Sequence, residues 1–150
     1  MEITKTLVVS ILVLAVYACK NKEDEVSLPG YEDTIKLSTY LISVDNGGGE
    51  AYVTAEYDRW VVDEKEPFII DDREVKKDTL IANRVARKLF ANGIVMAISG
   101  ITGDWFDIKI EPKRISVNLS KNTSGKERKF YFWITDLRNC RCKVAIKQGK

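Results

Sequence analysis

An all-β, antiparallel sandwich with an elaborated middle segment is the fold this 150-residue sequence predicts. Three observations carry that expectation. From Ile35 onward, short runs alternate apolar and polar residues with a period of two, the spacing of a half-buried strand. Turn chemistry separates the runs: Asp45-Asn46-Gly47-Gly48-Gly49, Glu111-Pro112-Lys113 and Asn122-Thr123-Ser124-Gly125. The length left after the N-terminal segment, about 115 residues, suits one sandwich domain.

The strands follow in order. Ile35, Leu37 and Thr39 alternate with Lys36 and Ser38, and Leu41 to Val44 leads into the glycine-rich turn. Tyr52 to Ala55 resumes the alternation, and Trp60-Val61-Val62 makes a short third run. Trp105 to Ile110, Ile115 to Leu119, Phe130 to Ile134 and Lys143 to Ile146 read as the later strands. Residues 63–104 form the elaboration. There Asp78 could cap a helix with Ile81, Val85 and Leu89 as its stripe. Asn92-Gly93, between Leu89-Phe90-Ala91 and Ile94-Val95-Met96, instead signals a two-residue hairpin, and the β-branched weight of Ile94 to Ile98 favours it.

The N-terminus has a different character. Leu7 to Ala18 is an apolar run preceded by Lys5, too short for the ~20 residues of a membrane-spanning helix and suited to the centre of a secretory signal. Cys19 follows the small Ala18, and almost everything after it is charged. The border resembles the lipobox of bacterial lipoproteins, which implies a signal peptide over 1–18 and acylation of Cys19 as the new N-terminus. Acyl chains contribute ~0.8 kcal/mol per buried methylene, so they would hold the protein on a membrane. Residues 19–34 then read as a polar tether to a domain over 35–150. Lys22-Glu23-Asp24 is similar to the export signal of surface lipoproteins in Bacteroidetes. It implies an outer-membrane protein displayed at the cell surface, the periplasmic face being the alternative.

Gly-Gly-Gly-Glu-Ala-Tyr-Val-Thr-Ala at 47–55, Asp104-Trp105-Phe106 and the stretch 122–148 resemble the BACON domain, an immunoglobulin-like module common in Bacteroidetes. The positions that match are Trp60, Trp105, Asn122, Gly125, Arg128 and Gln148. The resemblance implies an immunoglobulin-like sandwich in which these six serve the architecture. Asn122 and Gly125 would fix a turn, Arg128 would hold backbone carbonyls or a carboxylate, and Gln148 would bond across neighbouring loops. It also implies carbohydrate binding, with an adaptor contacting another envelope protein of a glycan-uptake complex as the alternative.

The residues name a candidate site. Along Lys129-Phe130-Tyr131-Phe132-Trp133-Ile134, strand alternation sends Phe130, Phe132 and Ile134 inward and Lys129, Tyr131 and Trp133 outward. Tyr131 and Trp133 would offer flat apolar platforms with polar handles, suited to a sugar face or a protein partner. The alternative is that residues of 63–104 cover them as an extra layer of core. Other chemistry finds little footing. The chain has no histidine, which removes triads and zinc sites that need one. Acidic pairs such as Glu64 with Glu66 are expected as solvated surface among 22 acidic residues. A net charge of +2, with no basic block, lacks the footprint for nucleic acid. No enzyme activity, cofactor or metal is expected. Cys140-Arg141-Cys142 reads first as buried thiols, then as a local disulfide, and last as half a metal site.

Overall fold

A computed structural model describes residues 35–90, 93–138 and 140–150. The signal segment, Cys19 and the tether lie outside the described residues.

Eleven strands are described: β1 Leu41–Val44, β2 Gly49–Thr54, β3 Val61–Val62, β4 Phe68–Ile70, β5 Arg73–Val75, β6 Ile81–Phe90, β7 Gly93–Thr102, β8 Phe106–Glu111, β9 Arg114–Leu119, β10 Arg128–Thr135 and β11 Arg141–Gln148. A 3-10 turn at Lys77–Thr79 is the one helical element among the described residues. One sheet runs β1-β11-β10-β4-β5, with β3 also paired to β10, and the other runs β2-β9-β8-β7-β6. The fold is the all-β sandwich that the alternation predicts, of the immunoglobulin-like kind that the resemblance implies.

Pairing is antiparallel except at one place: β1 lies parallel to β11, from Leu41 opposite Ala145 to Val44 opposite Gln148. The glycine-rich turn explains it. Gly48 and Gly49 take positive φ of 76° and 113°, so the chain passes from the first sheet to the second instead of folding back as a hairpin. A Cβ on Gly48 would come within 2.4 Å of the Leu119 carbonyl oxygen, so the position has no room for a side chain. The expected strand over Ile35 to Thr39 reduces to a single bridge, Leu37 to Ala55, although Ile35 and Leu37 are both buried.

Residues 63–104 supply strands to both sheets. β4 and β5 extend the first sheet beyond β10, and their turn is Asp71-Asp72 with φ of 47° and 65°. Two left-handed residues suit a tight hairpin, and aspartate tolerates that region better than most side chains. The hairpin has no glycine or asparagine to announce it, so sequence reading passes over it. Asp71 ties it to β10: its N–H donates to the Lys129 carbonyl at 3.0 Å, and its carboxylate accepts from the Lys129 N–H at 2.9 Å.

β6 and β7 form the hairpin that Asn92-Gly93 signals, from Ile81 opposite Ile101 to Phe90 opposite Gly93. Only Gly100 to Thr102 of β7 pairs with β8, so most of the hairpin extends past the sheet as a two-stranded arm. Leu89, Ala97 and Val95 of the arm pack on Val61 as a second small core. Val61 is opposite Thr135, so the arm laps over the outer side of the first sheet at that end.

The main core lies between the sheets, where Trp60, Phe68, Phe130 and Phe132 are completely buried. Phe130 stacks on Phe106 of the opposite sheet with centroids 4.5 Å apart and meets Phe68 edge-on at 5.6 Å. Both arrangements are ones aromatic quadrupoles favour.

Candidate functional site

The outward residues of β10 lie at the centre of the first sheet's outer face. Strand pairing sets them in rows across the sheet. Leu41, Ala145, Tyr131, Ile69 and Glu74 form one row, on β1, β11, β10, β4 and β5. Ser43, Lys147 and Lys129 form a row on one side of it, and Lys143 and Trp133 a row on the other. Tyr131 and Trp133 are half-buried, while Leu41, at the β1 end of the Tyr131 row, is 44% exposed. β4 and β5 continue the sheet beside Tyr131, and the arm packs on Val61, opposite Thr135, at the end of the face beyond Trp133. The inward set, Phe130, Phe132 and Ile134, is wholly buried.

β10 and β11 project Lys129, Arg141, Lys143 and Lys147 from this face. Lys143 Nζ sits 4.9 Å from the Tyr131 ring centroid, within reach of the ring quadrupole. Arg141 is held by Asp63 at 2.7 Å and Glu66 at 2.8 Å, and Lys129 approaches Glu127 at 3.7 Å. Asp63 is buried and braced: its N–H donates to the Trp133 carbonyl at 2.8 Å, and its carboxylate accepts from the Lys65 N–H at 2.9 Å. This network fixes the loop between β3 and β4 next to Trp133.

The same loop is tied to the arm. Arg84 grips Glu64 through two hydrogen bonds of 2.7 and 2.6 Å, which hold the Glu64 carboxyl below the usual carboxylate range. The folded pKa is the lower one, so the stability it contributes is present above about pH 4.3, the unfolded value, and is lost as pH falls through the folded value. Both groups are partly exposed, which keeps the effect small. Acid titration of Glu64→Gln, followed by thermal melting, is expected to show a smaller loss between pH 5 and pH 3 than the parent, by roughly 1–2 °C.

The six motif positions stand apart from this face and close the ends of the sandwich. Asn122 is buried; its amide donates to the Lys126 and Gly149 carbonyls at 2.7 and 2.8 Å, and its oxygen accepts from the Ser124 N–H and hydroxyl at 3.0 and 2.7 Å. Gly125 takes φ of 73°. Gln148 is completely buried and donates to the Ser120 carbonyl at 2.7 Å and the Asp45 carbonyl at 3.4 Å. Trp60 and Trp105 are buried, Trp60 donating its indole N–H to the Tyr57 carbonyl at 3.0 Å. Arg128 differs from the expectation that it holds carbonyls or a carboxylate. Its guanidinium lies 5.7 Å from the Trp105 ring centroid, and buried Nη1 has no hydrogen-bond partner. The flat cation uses the indole face there: β10 begins at Arg128 and, among the described residues, no carboxylate pairs with it.

A second guanidinium of this kind escaped sequence reading. Arg87 of the arm is buried over the Trp60 ring at 5.4 Å and donates to the Asp58 carbonyl, and burial lowers its pKa. Nothing in an isolated Arg87 between Ala86 and Lys88 distinguishes it from a solvated surface charge. Cys140 and Cys142 are both buried and are not joined to each other. Among the described residues, no group of three or more acidic or thiol ligands is placed to hold a metal ion, and no helix is long and apolar enough to cross a membrane.

No protein-family profile matches the sequence, and no curated protein matches it. Among solved structures, an NMR structure of a protein from Bacteroides thetaiotaomicron is similar, with a TM-score of 0.57 and 16% identity over 83% of this chain and 95% of that one. Likeness at that identity shows a shared fold.

Proposed function

We propose that this chain is a lipid-anchored envelope protein whose sandwich binds glycan without catalysis. The observation that carries the reading is the pair of half-buried rings, Tyr131 and Trp133, two residues apart on the outer side of β10, with the Lys143 ammonium over the Tyr131 ring. Half-burial matters. A half-buried ring has already lost part of its side-chain freedom, and its exposed part leaves an apolar surface for the carbon-bound hydrogens of a sugar ring. The lipobox resemblance at Cys19 supplies the anchor, and the resemblance of 122–148 to the BACON domain supports the ligand class. The charge run 20–25 gives the tether that would carry the domain away from the membrane.

The test is retention of the full chain, in detergent micelles, on a panel of immobilised host and plant polysaccharides beside Tyr131→Ala/Trp133→Ala. At least one polysaccharide is expected to retain the parent, with retention falling tenfold or more in the variant while its circular dichroism is unchanged. Stacking contributes on the order of 0.5–1.5 kcal/mol per ring, so two rings supply that loss. Retention that survives the double substitution rules the platform out.

A second reading, an adaptor for another envelope protein, has its own observation. Ile94 and Met96 on the arm are 74% and 59% exposed, an apolar pair of the kind partner surfaces use. Ile94→Lys/Met96→Lys is expected to abolish co-purification of an envelope protein under the adaptor reading and to leave polysaccharide retention intact under the glycan reading.

A further inference from the structure

The charges around the aromatic pair are unevenly matched. Of the cations on the outer face of the first sheet, Arg141 is matched by Asp63 and Glu66, and Lys129 by Glu127. Lys143 and Lys147 of β11 have no carboxylate partner among the described residues. Pairing places Lys147 opposite Lys129 and Lys143 opposite Trp133, with Tyr131 between the two rows. The cations therefore bracket the rings on both sides. Glu74, the acidic residue that shares the Tyr131 row, lies on β5, three strand spacings or about 14 Å from β11.

We propose that this face takes acidic polysaccharide, Tyr131 and Trp133 contacting the sugar rings while Lys143 and Lys147 hold carboxylate or sulfate groups carried on them. The proposal rests on the glycan reading above and names its substrate class. Lysine suits the task, since its ammonium is a mobile point donor that can follow either anion around a sugar ring. Exposed ion pairs contribute roughly 0.2–1 kcal/mol each, so the two together are expected to favour an acidic polymer over its neutral counterpart by up to about tenfold.

The experiment measures Kd for the full chain in detergent micelles against two matched pairs of polymers. Polygalacturonate is set beside its methyl ester for the carboxylate, and dextran sulfate beside dextran for the sulfate. The acidic member of one pair is expected to bind about tenfold more tightly, with the advantage shrinking as salt rises from 50 to 300 mM. Which pair shows it identifies the anion. Lys143→Gln/Lys147→Gln is expected to bring the acidic polymer to within about threefold of its neutral partner, with the circular dichroism spectrum retained. Equal Kd for acidic and neutral members, with binding still dependent on Tyr131 and Trp133, overturns the acidic specificity and leaves the glycan reading standing. Polyglutamate bound as tightly as the acidic glycan, with Tyr131→Ala/Trp133→Ala indifferent, marks a general polyanion surface and overturns both. Binding of none of these polymers overturns the acidic specificity, and the glycan reading then stands or falls on retention by the wider panel.

Discussion

Phe130→Ala is expected to destabilise the domain by roughly 3–5 kcal/mol, lowering the melting temperature by about 10–20 °C. Phe130 is the residue through which the two sheets meet. It is completely buried, stacked on Phe106 from the second sheet and in ring contact with Phe68 and Phe132 from its own. Removing the ring leaves a cavity walled by three other aromatics, none of which can collapse inward without leaving its own contacts. A domain of this size has a total stability of about 5–15 kcal/mol, so a loss of this size takes much of it. The adjacent Tyr131→Ala provides the contrast, because its side chain lies on the outer face and its truncation is expected to cost about 1 kcal/mol or less. Differential scanning calorimetry of the two variants separates inward from outward positions on one strand. Equal effects would contradict the alternation on which the site rests.

The second large effect comes from a group that buries almost no apolar surface. Asn122→Asp is expected to cost roughly 2–4 kcal/mol at neutral pH, more than a change of one atom suggests. The Asn122 amide gives both its protons to carbonyl oxygens, those of Lys126 and Gly149. Aspartate would put a buried charged oxygen against both carbonyls and give up both donors. Gly149 follows β11, so the contact fastens the chain's last strand to the turn before β10. Protonation restores one donor. The deficit of Asn122→Asp is therefore expected to shrink as pH falls from 7 to 4, whereas Asn122→Ala shows no such recovery. Thermal melts of the two variants across that range decide the matter. A deficit in Asn122→Asp that does not change with pH would assign the loss to shape instead of to the missing donors.

These two positions also show what the amino-acid sequence makes legible. The inward set of β10 is readable because alternation over eight residues, Arg128–Thr135, leaves little freedom in which side faces the core. Asn122 and Gly125 are readable because a turn needs residues that accept unusual backbone angles or bond to their own chain. The β4–β5 hairpin is not readable, since each strand is three residues long and aspartates stand where glycine or asparagine would mark the turn. The parallel β1–β11 pair is hidden for another reason: pairing between strands so far apart in sequence, Leu41 with Ala145, leaves no local trace. Arg87 and Arg128 are the hardest cases. A guanidinium buried against an indole looks, in sequence, like any charge on an exposed strand, and only the assembled sheets bring Trp60 and Trp105 beneath them.

The outer face divides the same way. That Tyr131 and Trp133 share a side follows from their spacing. Which charges flank them depends on the register between β10 and β11, which sets Lys147 opposite Lys129 and Lys143 opposite Trp133. A slip of one residue would turn those lysines to the core. The cationic bracket is thus a property of the pairing.

Tryptophan fluorescence tests the central claim most directly. Of the three tryptophans, Trp60 and Trp105 are 0% and 8% exposed, so the half-buried Trp133 is the one whose emission a surface ligand can alter. Titration of the full chain with polysaccharide from the retaining panel is expected to give a saturable change in emission that disappears in Trp133→Phe. No saturable change with any polysaccharide, or a change that persists in Trp133→Phe, would contradict a glycan platform on β10.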